Sequence, residues 1–256
     1  MKKLIILSII ISYCFPHVMF GWGQSGHNAV AYIAECNLTK KAKKNIEKYL
    51  NHSIVYYSTW MDLYRATPEY KHTTGWHTAA VDESFRYTDA VRSPNGDVVC
   101  ELENAIEALQ NYKGLNDSLV ILNLKYIIHM VGDMHCPVHV YYPDKDNFYR
   151  VNLRGTQYTY HAVWDSQIID RYHKWGYMEW AHQLDRCTKK EIKKIASGTP
   201  REWFYETAVD SRIIYEWASP GAELDYDFLN ISIHLAENQI LKAGYRLAGI
   251  LNALFG

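Results

Sequence analysis

An excess of positive charge is the first thing this chain lacks. Its 27 Lys and Arg are offset by 28 Asp and Glu, for a formal net charge of −1. Proteins that hold duplex nucleic acid through its phosphates alone carry a basic footprint, so a simple duplex binder is disfavoured. An enzyme whose positive charge comes from bound metal ions is not excluded by the same argument. A membrane-spanning run is lacking as well, since the apolar stretch Leu4–Ile11 falls well short of the about 20 residues that a helix needs to cross a bilayer. No repeat, low-complexity tract or Pro/Gly-rich linker divides the chain, which reads as one mostly α-helical domain. Cysteine is sparse. Of five, Cys14 falls in the amino-terminal segment, leaving Cys36, Cys100, Cys136 and Cys187.

That segment, residues 1–21, reads as a secretory signal. Lys2 and Lys3 precede Leu4–Ile11, and Gly21 offers a small residue for cleavage before Trp22, although Met19 is bulky for its place. Tyr13 before Cys14 makes a poor lipoprotein signal, and the plain alternative is a buried amino-terminal helix. The expectation is an exported protein, secreted or periplasmic, with a mature domain over 22–256. In such a protein four cysteines favour disulfide bonds, with three pairings open, while Cys136 also suits a free thiol or a small buried residue.

What the chain does have is a dense run of metal-type ligands, His129-Met-Val-Gly-Asp133-Met-His135-Cys-Pro137-Val-His139. His129 and Asp133 are four apart and share one face of a helix. Pro137 cannot continue that helix, so His139 approaches from a new direction. Imidazole nitrogen with carboxylate oxygen is a ligand set that suits zinc. A capped and solvated helix end is the ordinary explanation of one such His. It fits a cluster set in apolar sequence poorly, because buried ionisable groups need a partner or a metal.

Around this run the spacing predicts an apolar-periodic helix at Ala29–Ala34, a second from Thr39 through Leu50, and a third over Ile54–Arg65. Thr73–Val91 reads as loop with short extended pieces, followed by a turn at Ser93–Gly96 and a helix over Cys100–Tyr112. The helix bearing the cluster is expected over Leu119–Cys136, apolar nearly all round and hence central. Phe148–Leu153 alternates and suggests a hairpin near Gly155; helices over Tyr160–Tyr172 and Ser232–Leu254 follow.

Further motifs share the cluster's chemistry. They are Trp22-Gly…Gly26-His27, Trp60-x-Asp62-x-x-Arg65, His77, Pro137-x-His139, His161-x-x-Trp-Asp165 and the closing Gly244-Tyr-Arg-Leu-Ala248. Singly, each has a dull explanation as a salt bridge, a solvated acid or a core histidine. In this order and spacing the chain resembles the S1/P1 nuclease family, zinc-dependent single-strand nucleases and 3′-nucleotidases, over nearly the whole of 22–256.

The resemblance implies the all-α fold of the phospholipase C/P1 nuclease type and three zinc ions. One zinc would take Asp62, His77 and His129, with Asp133 bridging to a second that takes the Trp22 amine and carbonyl and His27. The third would take His139, His161 and Asp165. It further implies single-stranded nucleic acid and nucleotides as substrate, with 5′-phosphate products. Asp62 and Asp133 become the catalytic carboxylates. Arg65, one turn beyond Asp62, would contact phosphate or orient that acid, a surface salt bridge being the plain alternative. His135 receives no ligand role and is expected beside the cluster or at the surface.

The chain departs from the family at its base pocket. An aromatic and an acid are expected just after His77, and Thr78 and Ala80 stand there, with Asp82 displaced. Tyr160 also replaces the usual Leu before the helical His161. Three rivals stay open: a zinc phospholipase C-like phosphodiesterase, which usually ends its ligand set in Glu where this chain has Asp165, a non-catalytic exported zinc-binding protein, and a purely structural helical protein that binds no zinc.

Overall fold

The computed structural model describes residues 22–256; the signal segment expected over 1–21, with Cys14, lies outside them. The chain is built from helices α1 Gln24–Cys36, α2 Lys40–Ile46, α3 Trp60–Tyr64, α4 Val98–Leu109 and α5 Asp117–Met134. Then come α6 Tyr160–Ala162, α7 Ile168–Tyr172, α8 Tyr177–Leu184, α9 Lys189–Ile195, α10 Pro200–Ser211, α11 Ile214–Trp217 and α12 Tyr226–Phe255. Strands are short: β1 Ala79–Ala80, β2 Val140–Tyr141, β3 Arg150–Leu153, β4 Thr156–Thr159 and β5 Glu223–Leu224. The expected all-α class holds.

Side-chain caps decide where the helices start. Thr39 accepts from the Ala42 amide at α2 and Asp97 from Val99 and Cys100 at α4. Asn116 accepts from Leu119 at α5, and Asp225 from Asp227 at α12. α5 runs through the middle of the core, with every residue from Tyr126 to Met134 buried. It packs on α4 and meets α1 and α12, which lie closely along each other. At that last crossing a Cβ on Gly244 would fall 2.5 Å from Ile33 Cγ2, so glycine sets the approach of the two helices. The expected hairpin is β3–β4, with Leu153 opposite Thr156 and both loop residues, Arg154 and Gly155, at positive φ.

Some boundaries differ from the sequence reading. The helix expected over 54–65 is a 3-10 turn, Ile54–Tyr57, and then α3, with Ser58 and Thr59 between them. α2 ends at Ile46, four residues early, and α12 begins at Tyr226, six residues before Ser232. The expected disulfide is also corrected, since Cys36, Cys100, Cys136 and Cys187 are all free. Among the described residues no helix is long and apolar enough to cross a membrane.

Candidate metal centre

Asp133 sits in the last turn of α5, fully buried, with four imidazoles around it. Its Oδ2 is 2.8 Å from both His129 Nε2 and His77 Nδ1, and its Oδ1 is 3.3 Å from His27 Nε2 and 3.4 Å from His139 Nδ1. The helix supplies His129 and Asp133 from one face, as their spacing requires. After the C-cap at His135 the chain turns through Cys136 into the 3-10 turn Pro137–His139, which brings His139 back toward Asp133.

Other elements bring the remaining groups. α1 contributes His27, against which Gly132 is packed so closely that a Cβ there would lie 2.7 Å from His27 Nδ1. α3 contributes Asp62, with Oδ1 3.7 Å from His77 Nδ1 and 3.9 Å from His129 Nε2. α6 and the π turn that follows, Val163–Gln167, contribute His161 and Asp165. Asp165 Oδ2 is 3.1 Å from His161 Nε2, and its Oδ1 is 3.4 Å from both His139 Nε2 and the Cys136 sulfur. Trp22 is wholly buried beside them, and the next residue, Gly23, donates its N–H to the Asp165 carbonyl.

These donors suit zinc. A tetrahedral ion with bonds of about 2.0–2.1 Å holds its ligand atoms about 3.3 Å apart. Donor pairs here lie 2.8–3.9 Å apart. Three compact groups emerge: His27 with His129 and Asp133, Asp62 with His77 and His129, and Cys136 with His139 and Asp165. Both ring nitrogens of His27 and of His161, together with Asp62 Oδ1, Asp133 Oδ1 and His139 Nδ1, are buried and make no hydrogen bond within the protein. Buried polar atoms carry a large desolvation cost without a partner, and metal ions would satisfy the carboxylate oxygens together with one nitrogen of each imidazole.

The electrostatics agree. Burial alone would raise Asp133, but His129, His77 and His139 hold its carboxyl well below the usual range. Burial likewise acts to raise Asp165, and His161 with His139 outweighs it, so that its pKa is lowered. For His129, burial is outweighed by Asp133 and Asp62, and the imidazole is pushed up to about 9. His27 is driven the other way by burial and by His129, and His77 is lowered mainly by burial. A metal entering the group competes with the His129 proton.

The residues expected from the sequence fall into place unevenly. His27, Asp62, His77, His129, Asp133, His139, His161 and Asp165 come together in this buried cluster. Arg65 is buried with Asp62, Nη2 to Oδ1 being 3.6 Å, which replaces the surface salt bridge by an internal one. Thr78 and Ala80 flank the site, Ala80 being paired with Tyr141 along β1–β2. Asp82 is consumed by its own turn, accepting from the Ser84 and Arg86 amides.

His135 is neither beside the cluster nor at the surface. It is wholly buried, its Nδ1 paired with the Val131 carbonyl and its Nε2 2.8 Å from Arg246 Nη1. Two steps of 100° from Asp133 turn it to the opposite side of the helix.

Three contributors were not singled out from the sequence. The Ser58 carbonyl accepts from His129 Nδ1 at 2.7 Å, leaving Nε2 for the cluster. Asn147 donates to the Val138 carbonyl and accepts the His161 amide through its own carbonyl, tying the His139 turn to the start of α6. Gly132 had a signal, a glycine inside an apolar helix; Ser58 and Asn147 had none.

A cleft of about 390 Å³ opens on the cluster, with Asp62 and Leu63 on one side, Ala162, Asp165, Ser166 and Asp170 on the other, and Gly23 between. Its charged lining is entirely acidic, so a phosphate enters only if cations offset the carboxylates.

The family model described as S1/P1 Nuclease matches residues 22–256. Among relatives, Endonuclease 2 of Arabidopsis thaliana is 26% identical, covering 99% of this chain and 97% of its own. Nuclease S1 of Aspergillus oryzae is 23% identical, with 92% of each chain covered. Nuclease P1 of Penicillium citrinum is 24% identical over 92% of this chain and 98% of its own.

Proposed function

The chain belongs to the S1/P1 nuclease family of zinc-dependent hydrolases, and from that premise we propose that it is an exported endonuclease with three zinc ions. Its substrates in this reading are single-stranded DNA or RNA, and 3′-nucleotides, cut to leave 5′-phosphates. The observation that carries the proposal is the meeting of His27, His77, His129 and His139 on the one buried carboxylate of Asp133. A lone structural histidine needs no such company.

Asp62, His77 and His129 would hold one zinc, with Asp133 bridging to a second on His27 and the amine and carbonyl of Trp22. His139, His161 and Asp165 would hold the third. Cys136 stays out of that set in our assignment. Burial and Asp165 push its thiol well above its ordinary value, and the protonated sulfur donates to Asp165.

Zinc held here supplies positive charge for a phosphate and acidifies bound water to a pKa of about 7. The protein's own part is orientation. Ser58 fixes the His129 tautomer, Gly23 and Cys136 hold Asp165 from its backbone and side chain, and Asn147 fastens the loop behind His161. Arg65, against Asp62, is the chain's own cation at the site and would steady that carboxylate or a phosphate oxygen. A narrow cleft between α3 and the π turn reaches an unstacked, flexible strand more readily than a duplex. Export follows from the reading of residues 1–21.

The test is a substrate panel. Purified zinc-loaded protein beginning at Trp22 should degrade denatured DNA faster than duplex, give 5′-phosphorylated ends and leave phosphatidylcholine intact. Phosphocholine release with untouched DNA would replace the proposal by the phospholipase reading; bound zinc with no phosphoester hydrolysis would replace it by a carrier.

A further inference from the structure

The site has no aromatic at Thr78 or Ala80, yet one stands close by on a different element. Phe148 lies in the loop before β3, 41% exposed, among the largest apolar side chains left open to solvent. Its ring stacks on His161, centroids 4.9 Å apart and planes within 14°. His161 stacks in turn on His139 at 5.2 Å and 21°. The three rings form a column whose inner two members belong to the metal cluster and whose outer member faces solvent.

The wall beside it is continuous. Tyr141, at 6.5 Å, meets Phe148 edge-on. It also pairs in register with Ala80, two residues beyond Thr78. With one face against His161 and Tyr141 beside it, Phe148 stays open to solvent one ring away from the cluster.

An exposed phenyl ring is unfavourable in water, and its position is set by packing, since Asn147 immediately before it is buried and pinned to Val138. A flat aromatic face one layer from candidate metal ligands is a stacking platform, because every base has a π face and stacking tolerates any of them. We propose that Phe148, backed by Tyr141, stacks a nucleobase flanking the scissile phosphate and so takes over the role left vacant at Thr78 and Ala80. The inference rests on the nuclease reading above and adds a substrate-binding residue and a specificity to it: affinity for base-bearing strands with little choice among bases. Thr78 and Ala80 then shape the wall without gripping the base.

The experiment uses zinc-loaded protein and two short oligonucleotides, one with ordinary nucleotides and one with tetrahydrofuran abasic residues on both sides of a single cleavable phosphodiester. The wild type should bind the base-bearing strand better. Phe148→Ala should raise its KM about tenfold or more at nearly unchanged kcat, while the abasic KM stays put. Phe148→Trp should restore the difference, and zinc content should be equal throughout. An equal effect on both strands, no effect on either, or zinc loss in Phe148→Ala would overturn the proposal, the last by showing that Phe148 merely props His161. A zinc-loaded wild type that cleaves neither strand would overturn the nuclease reading itself, and the platform with it.

Discussion

Two residues two positions apart at the end of α5 show how differently near neighbours can serve. Asp133 is met by four imidazoles, whereas His135, on the other side of α5, is held by Arg246 and the Val131 carbonyl. Burial and the Arg246 charge keep His135 neutral, well below its ordinary range, so that its Nε2 accepts from Arg246. Asp133→Asn should cost activity beyond the about 10–100-fold that loss of a supporting partner costs, together with bound zinc. His135→Ala should keep its zinc and its activity per folded molecule but lose about 1–3 kcal/mol, because Arg246 loses an acceptor in the core. Elemental analysis and urea unfolding of both variants check the contrast, and zinc loss from His135→Ala would undo it. The periodicity of a helix put 129 and 133 on one face in advance, but only the family resemblance set His135 apart, and its buried pairing with Arg246 was not foreseen. The Ser58 carbonyl on His129 was not readable, because any residue type offers a carbonyl.

At the scale of elements the sequence was read well where side chains announce themselves. The central helix expected over 119–136 is α5, Asp117–Met134, shifted two residues by its Asn116 cap. The hairpin at Gly155 formed where alternation and a turn residue coincide. The reading failed at residues 54–65, where apolar spacing suggested an unbroken helix and the chain instead breaks at Ser58–Thr59. That break frees the Ser58 carbonyl for His129, a tertiary demand no local pattern records. The contact between α1 and α5 gives an element-level prediction. In an isolated helix Gly132→Ala would be stabilising by about 0.5–1 kcal/mol, but here the new Cβ lies 2.7 Å from His27 Nδ1. The variant should keep its helix content by far-ultraviolet dichroism, lose part of its zinc and fall at least about tenfold in activity, as ligand-supporting positions do. Unchanged zinc and activity would show that His27 has no fixed place in the cluster.

On the scale of the whole molecule, the proposed export signal and the proposed metal centre meet at Trp22. That side chain is fully buried, a Cβ on Gly26 would come within 2.9 Å of its Cβ, and Gly23 is bonded to Asp165. The first described residues are thus locked against the cluster. An amide nitrogen is a poor zinc donor, while a free α-amine of pKa about 8 loses its proton readily beside a metal. If cleavage falls before Trp22, it creates a ligand, and the enzyme becomes competent only once exported. Protein made with an additional Met ahead of Trp22 should bind less zinc and hydrolyse DNA poorly; full loading and full activity in that protein would dissociate targeting from catalysis.

The most direct measurement of the central claim is a zinc titration. Protein beginning at Trp22 is stripped of metal by chelation, returned to zinc in steps, and assayed on single-stranded DNA at each step. The account predicts no hydrolysis in the stripped protein and a rise to a plateau as the cluster fills, with folding retained throughout. Undiminished hydrolysis by the metal-free protein would contradict it.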